Sequence, residues 1–132
     1  MKIGLDTTVC VSLNNNESPF DAQERLQTVL SENNMSAIKT DNIVLLDDKG
    51  NPLHFYELCC QEHETPGGIN DFDMCIIGAR EPALEEANAF CAIDLLRDEH
   101  HPLHVTRVSE LTLAEAMEEY NIEGCANWPI FY

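Results

Sequence analysis

Two apolar segments on either side of a turn sequence constrain the fold more than any other feature of the chain. Ile43-Val44-Leu45-Leu46 and the segment from Leu53 to Cys60 flank the hexapeptide Asp47-Asp48-Lys49-Gly50-Asn51-Pro52. Gly and Asn suit the tight reversal that joins neighbouring antiparallel strands, so the pattern predicts a β-hairpin. Any fold built around this hairpin contains antiparallel sheet.

The first residues show a second strand pattern. Apolar or β-branched residues occupy every odd position from 3 to 13, and polar or small residues occupy the even positions. A period of two with β-branched residues predicts a half-buried strand over residues 2–13. The segment from Phe72 to Ile77, closed by Gly78, and the segment from His104 to Val108 are predicted to be strands as well.

Three helix starts are also marked in the sequence. Ser18-Pro19-Phe20-Asp21 combines a capping residue, a first-turn proline and an acid, which predicts a helix to about Glu32. Pro82 opens a second helix that should extend to about Leu96 and pack on two sides, because apolar residues cover more than half its circumference. Thr112-Leu113-Ala114-Glu115 is a capping box, and Gly124 suits the position just past the end of the third helix.

The predicted order is β-α-β-β-β-α-β-α. It indicates one acidic α+β domain over residues 1–132, with a mainly antiparallel or mixed sheet of about five strands and two to three helices packed on one face. No segment approaches the roughly 18 apolar residues needed to cross a bilayer, and the start lacks the apolar region of a signal peptide. We therefore expect a cytoplasmic protein.

The charge is the most unusual quantity in the composition. Asp and Glu number 24 against 7 Lys and Arg, a formal net charge of -17. Direct binding to nucleic acid or to an anionic membrane needs a basic face, so neither is expected, and a basic protein becomes the favoured partner. The alternative is that the acidity only keeps the protein soluble. The six cysteines do not show the spacing of a disulfide scaffold and are expected to be free, mostly buried thiols.

Acids on the third predicted helix are the candidates for partner binding. Glu115, Glu119 and Glu123 stand four residues apart in one row, with Glu118 beside them and no cation three or four residues away. Each like-charge pair costs roughly 0.2–0.5 kcal/mol in an isolated helix. The fold itself does not explain this row, whereas the acids that begin the second helix suit the helix dipole.

Histidines and cysteines supply zinc-ligand types without a zinc-ligand spacing. They occur in Cys59-Cys60-Gln61-Glu62-His63 and in His100-His101-Pro102-Leu103-His104, with His54 as a further member. Adjacent residues of a strand point to opposite faces, so Cys59 and Cys60 cannot grip one ion in a regular strand. We expect neither a metal nor another cofactor.

Asp71 and Asp73, with His63, form the alternative ligand or metal loop. The two aspartates stand two residues apart at a strand entrance, and Gly67-Gly68 allow close approach to the backbone. A small enzyme or ligand-binding domain with its site near this loop is the alternative function. The sequence lacks a nucleophile elbow, a phosphate loop and a dinucleotide fingerprint, so an enzyme is the less favoured class.

The last residues form an apolar group that includes Trp128, Ile130, Phe131 and Tyr132. We expect them to pack on the sheet as a final extended segment. The alternative is a docking peptide or a homodimer contact, with Trp128 as an aromatic anchor. Together these features predict a non-enzymatic acidic protein that inhibits a basic, nucleic-acid-binding protein, such as a nuclease toxin or a defence effector, by mimicking a polyanion.

Overall fold

The computed structural model describes residues 1–5, 8–37, 43–63, 68–95 and 103–132. In that part of the chain three α-helices and a five-stranded mixed sheet form an α+β fold, as predicted. In chain order the elements are α1 Pro19–Glu32, β1 Leu45–Leu46, β2 Pro52–His63, β3 Ile69–Gly78, α2 Leu84–Ile93, β4 Leu103–Leu111, α3 Leu113–Glu119, a single 3₁₀ turn Cys125–Asn127 and β5 Ile130–Phe131.

Strand β2 lies at the centre of the sheet. It pairs antiparallel with β1, β3 and β4, and β3 pairs in parallel with β5 at residues 77–78. The predicted hairpin is confirmed, because Leu45 faces Leu53 and Leu46 faces Pro52. The Asp47 carboxylate accepts hydrogen bonds from the backbone N–H groups of Lys49 and Asn51, and Gly50 has a φ of 84°, so the turn is built from the residues that predicted it.

The two faces of the sheet carry separate cores. Tyr56, Leu58 and Cys60 pack with α2, whereas Leu53 and Phe55 pack with Ala116 of α3 and with the 3₁₀ turn. Successive strand residues point to opposite faces, so α2 and α3 cover opposite sides of the sheet. The expectation that the helices lie on one face is therefore wrong. Both faces of β2 carry buried apolar residues between Leu53 and Cys60, and each face needs its own cover.

The strand predicted over residues 2–13 is not formed in the part of that segment that the structure describes. None of the described residues before α1 belongs to a strand, although the period-two pattern continues through them. Alternation shows that a segment suits a pleated, half-covered position, but a strand also needs a hydrogen-bonded neighbour. The end of the segment is fixed differently: Leu13 packs against the α3 core, and the Arg25 guanidinium donates to the Ser12 carbonyl.

Other boundaries differ from the predictions in informative ways. Strand β2 extends to His63 and β3 begins at Ile69, whereas the predicted strands ended at Cys60 and began at Phe72. Residues 64–67 between the two strands lie outside the described part. Helix α2 ends at Ile93 and leaves that side chain 71% exposed, so it is not packed on two sides. Strand β4 is longer than predicted because β2 offers it a partner as far as Leu111.

None of the six cysteines, all within the described residues, belongs to a disulfide, and three of them, Cys60, Cys91 and Cys125, are buried. None of the helices in the described residues has the length and apolar character required to cross a membrane.

Candidate functional site

Helix α3 is short and begins as its sequence predicts. The Thr112 hydroxyl accepts a hydrogen bond from the Glu115 backbone N–H at 3.1 Å, and the Glu115 carboxylate accepts one from the Thr112 backbone N–H at 3.1 Å. The helix ends at Glu119, because Tyr120 adopts an extended backbone. Glu123 therefore lies beyond the helix, and the predicted row of Glu115, Glu119 and Glu123 is broken after its second member.

A hydrogen bond from the residue just after α3 links the end of this helix to β2. The Tyr120 hydroxyl donates to Glu57 Oε2 at 2.7 Å. Desolvation raises the pKa of Tyr120, and its hydrogen bond to the Glu57 carboxylate raises it further. Tyr120 is thus a neutral donor at every physiological pH, and it holds a strand carboxylate next to the helix acids.

Glu57 was missed by the sequence reasoning. It occupies the α3-facing row of β2 between Phe55 and Cys59, where the neighbouring positions are apolar or thiol-bearing. A carboxylate inside such a row is the signal that could have identified it, since a half-buried charge requires a partner. The partner, Tyr120, is 63 residues away in sequence and could not be assigned before the fold was known.

Glu119 lies beside this strand carboxylate. Desolvation raises the pKa of Glu119, and the adjoining Glu57 carboxyl raises it further, with smaller contributions from the charges of Glu115 and Glu118. Acids from two elements, Glu57 on β2 and Glu115 and Glu118 on α3, are therefore close enough to disfavour ionisation of Glu119.

Asp71 and Asp73 extend the same surface. They lie inside β3, not at its entrance, and they share a row with Cys75 and Ile77, which pack under α3. The register places Asp73 opposite Cys59 and Asp71 opposite Gln61. Acids from the two sites that the sequence suggested separately thus lie on the same side of the sheet. Together with Glu57 we call them the acidic face: Glu57, Asp71, Asp73, Glu115, Glu118 and Glu119.

Most of the acidic face is open to solvent. Asp71, Asp73, Glu115, Glu118 and Glu119 are exposed, and Glu57 is half-buried. Across the described residues, the ion pairs join Arg25 to Glu17, His54 to Glu110 and Arg80 to Glu86, all away from this face. The face therefore presents carboxylates that no described cation neutralises at ion-pair distance.

The cationic side chain of Arg107 lies at the rim of the acidic face. Arg107 lies opposite Cys59 across the β2–β4 pair, and its guanidinium donates to the Cys59 Sγ atom at 3.3 Å. These residues, with Gln61, Asp71 and Asp73, line an open hollow of about 380 Å³. Desolvation raises the pKa of Cys59 despite the opposing effect of Arg107, so its thiol stays protonated at neutral pH.

Cys75 lies deeper under the same face and is equally unsuited to nucleophilic chemistry. Desolvation raises the pKa of the Cys75 thiol to about 12, and the Glu57 charge contributes to the shift. A thiol acts as a nucleophile only as its thiolate. Neither cysteine therefore supplies an activated nucleophile beside the acids.

The predicted metal-ligand types are dispersed in the structure. Cys59 lies on the same side of the sheet as the acidic face, whereas Cys60 lies in the core under α2, as strand alternation requires. His54 Nδ1 lies 2.9 Å from Glu110 Oε1, and His104 is exposed. The His63 side chain, Gly67, His100 and His101 lie outside the described residues, whereas Gly68 is described and exposed. Within the described ranges no three His, Cys, Asp or Glu side chains are grouped to hold a metal ion.

The apolar C-terminal segment packs on the sheet, as predicted. The Trp128 ring meets the Phe55 ring edge to face, with centroids 6.4 Å apart, and the Phe131 ring meets Phe90 at 5.8 Å. The Arg80 guanidinium covers Phe131 at 4.8 Å. Trp128 is half-buried and lies against the α3 core, next to the acidic face but not part of it.

The fold and the surface together define an α+β domain with a carboxylate-rich face on one side of a mixed sheet. No protein-family description, no curated protein and no solved structure matches the chain.

Proposed function

We propose that this protein is a non-enzymatic acidic interaction protein that inhibits a basic protein by occupying the groove in which that protein receives nucleic acid. The acidic face is the observation that carries the proposal. Its carboxylates come from α3 and from the two strands beneath it, so their relative positions are set by the sheet and by the Tyr120–Glu57 hydrogen bond.

The chemistry of the face suits a polyanion mimic. Desolvation and the neighbouring Glu57 carboxyl raise the pKa of Glu119, so crowding of the carboxylates is unfavourable in the free protein. A cationic partner relieves this repulsion on binding and favours the ionised form of Glu119. Relief of the repulsion between these carboxylates therefore contributes to the free energy of binding.

The net charge of -17 adds a long-range component. A strongly negative protein attracts a basic partner before contact, and this steering accelerates association and weakens as ionic strength rises. A nuclease toxin or a defence effector with a phosphate-binding groove is the class of partner that this surface fits. Trp128, beside the face, is the aromatic residue that we assign to the slower, short-range contacts.

The experiment is affinity capture from the native host at low and moderate salt, followed by a nucleic-acid competition assay with the captured protein. We compare the wild type with Glu118→Lys/Glu119→Lys on the acidic face. The matched control is Glu24→Lys/Glu32→Lys on α1, which changes the net charge equally at exposed positions outside the face.

The proposal expects three results. A basic protein is retained by the wild type and by the control, is released by salt, and loses its nucleic-acid binding when the wild type is added. The face variant loses the partner while its thermal stability is equal or higher. Equal binding by the two double variants, or capture of no basic protein, overturns the proposal.

The hollow beside Arg107 favours a second candidate, a small-ligand site. The Arg107 guanidinium and the carboxylates of Asp71 and Asp73 line this hollow of about 380 Å³. A cation and two anions around one hollow suit a small zwitterion. Calorimetric titration with free amino acids tests this reading, with Arg107→Gln as the site variant and Arg25→Gln as the control. Heat of binding that is lost only in Arg107→Gln would support it, and its absence for every amino acid would exclude it.

A further inference from the structure

A small apolar cavity lies beside β3, outside the acidic face. It measures about 170 Å³. Three segments of the described chain line it: Met74, Cys75 and Ile76 of β3, Leu95 after α2, and Trp128 and Pro129 before β5. Strand β5 pairs with β3 at Ile77 and Gly78, so the cavity lies where the chain approaches that pairing.

The walls of the cavity belong to the two cores of the sheet. Ile76 is buried in the core under α2, and Met74 and Leu95 pack against that core. On the other side, Cys75 and Trp128 pack against the α3 core. The cavity is therefore formed by the fold itself, before any ligand binds. A pre-formed apolar site binds at a lower entropic cost than a site that must first be ordered.

The size and polarity of the cavity suit one aromatic ring. An apolar cavity of about 150 Å³ is large enough to hold a benzene molecule. The described lining consists of aliphatic, aromatic, thioether and thiol groups. Desolvation raises the pKa of the Cys75 thiol to about 12, so this group is neutral as well. A phenyl ring is therefore stabilised when it leaves water for this site, as aromatic anchors are in the central pockets of protein interfaces.

Exposed acids adjoin the cavity. Asp73 and Asp94 directly precede two of the lining residues in the sequence, and both side chains are exposed. Glu57 lies opposite Cys75 in the β2–β3 pair. Lys and Arg are absent from the described lining and from the positions next to it in the sequence. An aromatic side chain that enters the cavity brings its own neighbours close to these carboxylates, so basic neighbours are favoured.

A second copy of the chain does not supply such a side chain. The chain contains one Trp, three Tyr and five Phe residues, and none of them stands next to a Lys or Arg in the sequence. Exposed Phe20, for example, is followed by Asp21. The net charge of -17 also opposes close contact between two copies. The occupant therefore comes from a basic protein and not from the chain itself.

From these observations we infer that the cavity is the docking site for one aromatic side chain, flanked by Lys or Arg, of the basic partner. The inference rests on the proposed function for the identity of that partner and adds the chemistry of its anchor. The acidic face attracts the partner at long range, whereas the cavity holds one buried ring at short range. Long-range charges act mainly on the association rate and buried anchors on the dissociation rate, so the two contributions can be measured separately.

Short peptides provide the first test, because they require no knowledge of the whole partner. The probe is the acetylated and amidated peptide Lys-Lys-Phe-Lys-Lys, compared with Lys-Lys-Ala-Lys-Lys and with Glu-Glu-Phe-Glu-Glu. Trp128 is the only Trp of the chain and lines the cavity, so its fluorescence reports occupancy. We expect the basic Phe peptide to bind at least about tenfold more tightly than the Ala peptide, and the Glu-flanked peptide not to bind.

Two substitutions separate the ring contact from the charge contact. In Leu95→Ser, which removes part of the apolar wall, the preference for Phe over Ala should fall to about twofold or less. In Asp73→Asn, both basic peptides should bind more weakly by the same factor, so the preference is unchanged. Leu30→Ser on α1 is the matched control, since Leu30 is also half-buried but lies outside the described lining. Equal loss of the preference in the two Ser variants, or its retention in both, would contradict the assigned site.

Crosslinking to the wild type locates the ring without any substitution in the protein. With a benzophenone in place of the Phe ring, we expect the peptide to crosslink to residues 74–76, 95 or 128–129. The inference is overturned by equal binding of the Phe and Ala peptides, by binding of the Glu-flanked peptide, or by crosslinks confined to other residues.

The two proposals fail in different ways. If a captured partner needs the acidic face but dissociates from Leu95→Ser at the wild-type rate, the cavity inference fails and the proposed function stands. If the peptides behave as expected but no basic protein is captured, the proposed function fails, while the preference of the cavity for a ring with basic neighbours stands.

Discussion

The Tyr120 hydroxyl donates a 2.7 Å hydrogen bond to Glu57, and this contact links the end of α3 to the middle of β2. It holds the Glu57 carboxylate beside the acids at the end of α3. It also explains why a helix of seven residues, too short to be stable alone, has a fixed end.

Replacement of Tyr120 by Phe leaves the half-buried Glu57 carboxylate without this donor. A hydrogen bond to a charged acceptor stabilises a fold by about 1–2 kcal/mol when it is partly solvated, so we expect a loss of that size in the free energy of unfolding. Urea unfolding measures it. Tyr132→Phe is the control, since Tyr132 is 65% exposed, and equal losses in the two variants would contradict the assigned role.

Substitution Glu119→Gln should stabilise the protein at neutral pH. The pKa of Glu119 is raised from its ordinary 4.5, chiefly by desolvation and then by Glu57, so the folded state disfavours its ionised form. Wild-type stability at this site falls as pH rises through that raised pKa, and the gain from Gln vanishes in acid where Glu119 is protonated. Thermal melts at neutral and acidic pH measure the difference. Glu24→Gln on α1 is the control, and a destabilised Glu119→Gln would refute the assignment.

The Arg80–Glu86 pair should contribute to the acid limb of the stability curve. Hydrogen bonds from the Arg80 guanidinium, at 2.9 Å for one pair of atoms, and then from the Ala83 N–H lower the pKa of Glu86 to about 2. The stabilisation is present above the ordinary value of 4.5 and is lost as pH falls toward about 2. In Glu86→Gln the urea midpoint should depend less on pH across this window. Glu85→Gln, at an exposed neighbouring position, should retain the wild-type slope.

Two glycines with similar backbone angles should respond differently to Ala. Gly124 has a φ of 77° and Gly50 a φ of 84°, so each substitution carries the strain of the left-handed region, about 1 kcal/mol. At Gly124 a Cβ atom would also lie 3.3 Å from the Asn15 carbonyl oxygen, whereas at Gly50 it meets open space. We expect Gly124→Ala to lower the free energy of unfolding by more than Gly50→Ala. Equal losses would show that the Asn15 contact adjusts without cost.

Local chemistry made several elements predictable. Asp47, Gly50 and Asn51 form a turn with bonds inside the turn itself, and Thr112 and Glu115 cap α3 through their own backbone groups. The start of α1 is similar, since the Ser18 hydroxyl accepts from the Asp21 N–H. Each of these features depends on residues no more than four positions apart.

Features that depend on distant partners were predicted less well. The N-terminal segment has a strand's pattern but no strand beside it in the described residues. Helix α3 was expected to include Glu123, and it ends earlier, where Tyr120 adopts an extended backbone and its hydroxyl donates to Glu57. In both cases the local sequence pattern was present. Whether the element formed, and where it ended, depended on contacts with residues far away in the chain.

The sequence by itself determined the α+β class, the hairpin, the helix starts and the excess of carboxylates, because all of these follow from composition and from short-range hydrogen bonds. Only the tertiary structure decided that α2 and α3 cover opposite faces and that Asp71 and Asp73 share a surface with Glu57 and the acids of α3. Strand register fixes which face a side chain occupies, and register is set by the pairing of residues far apart in the chain.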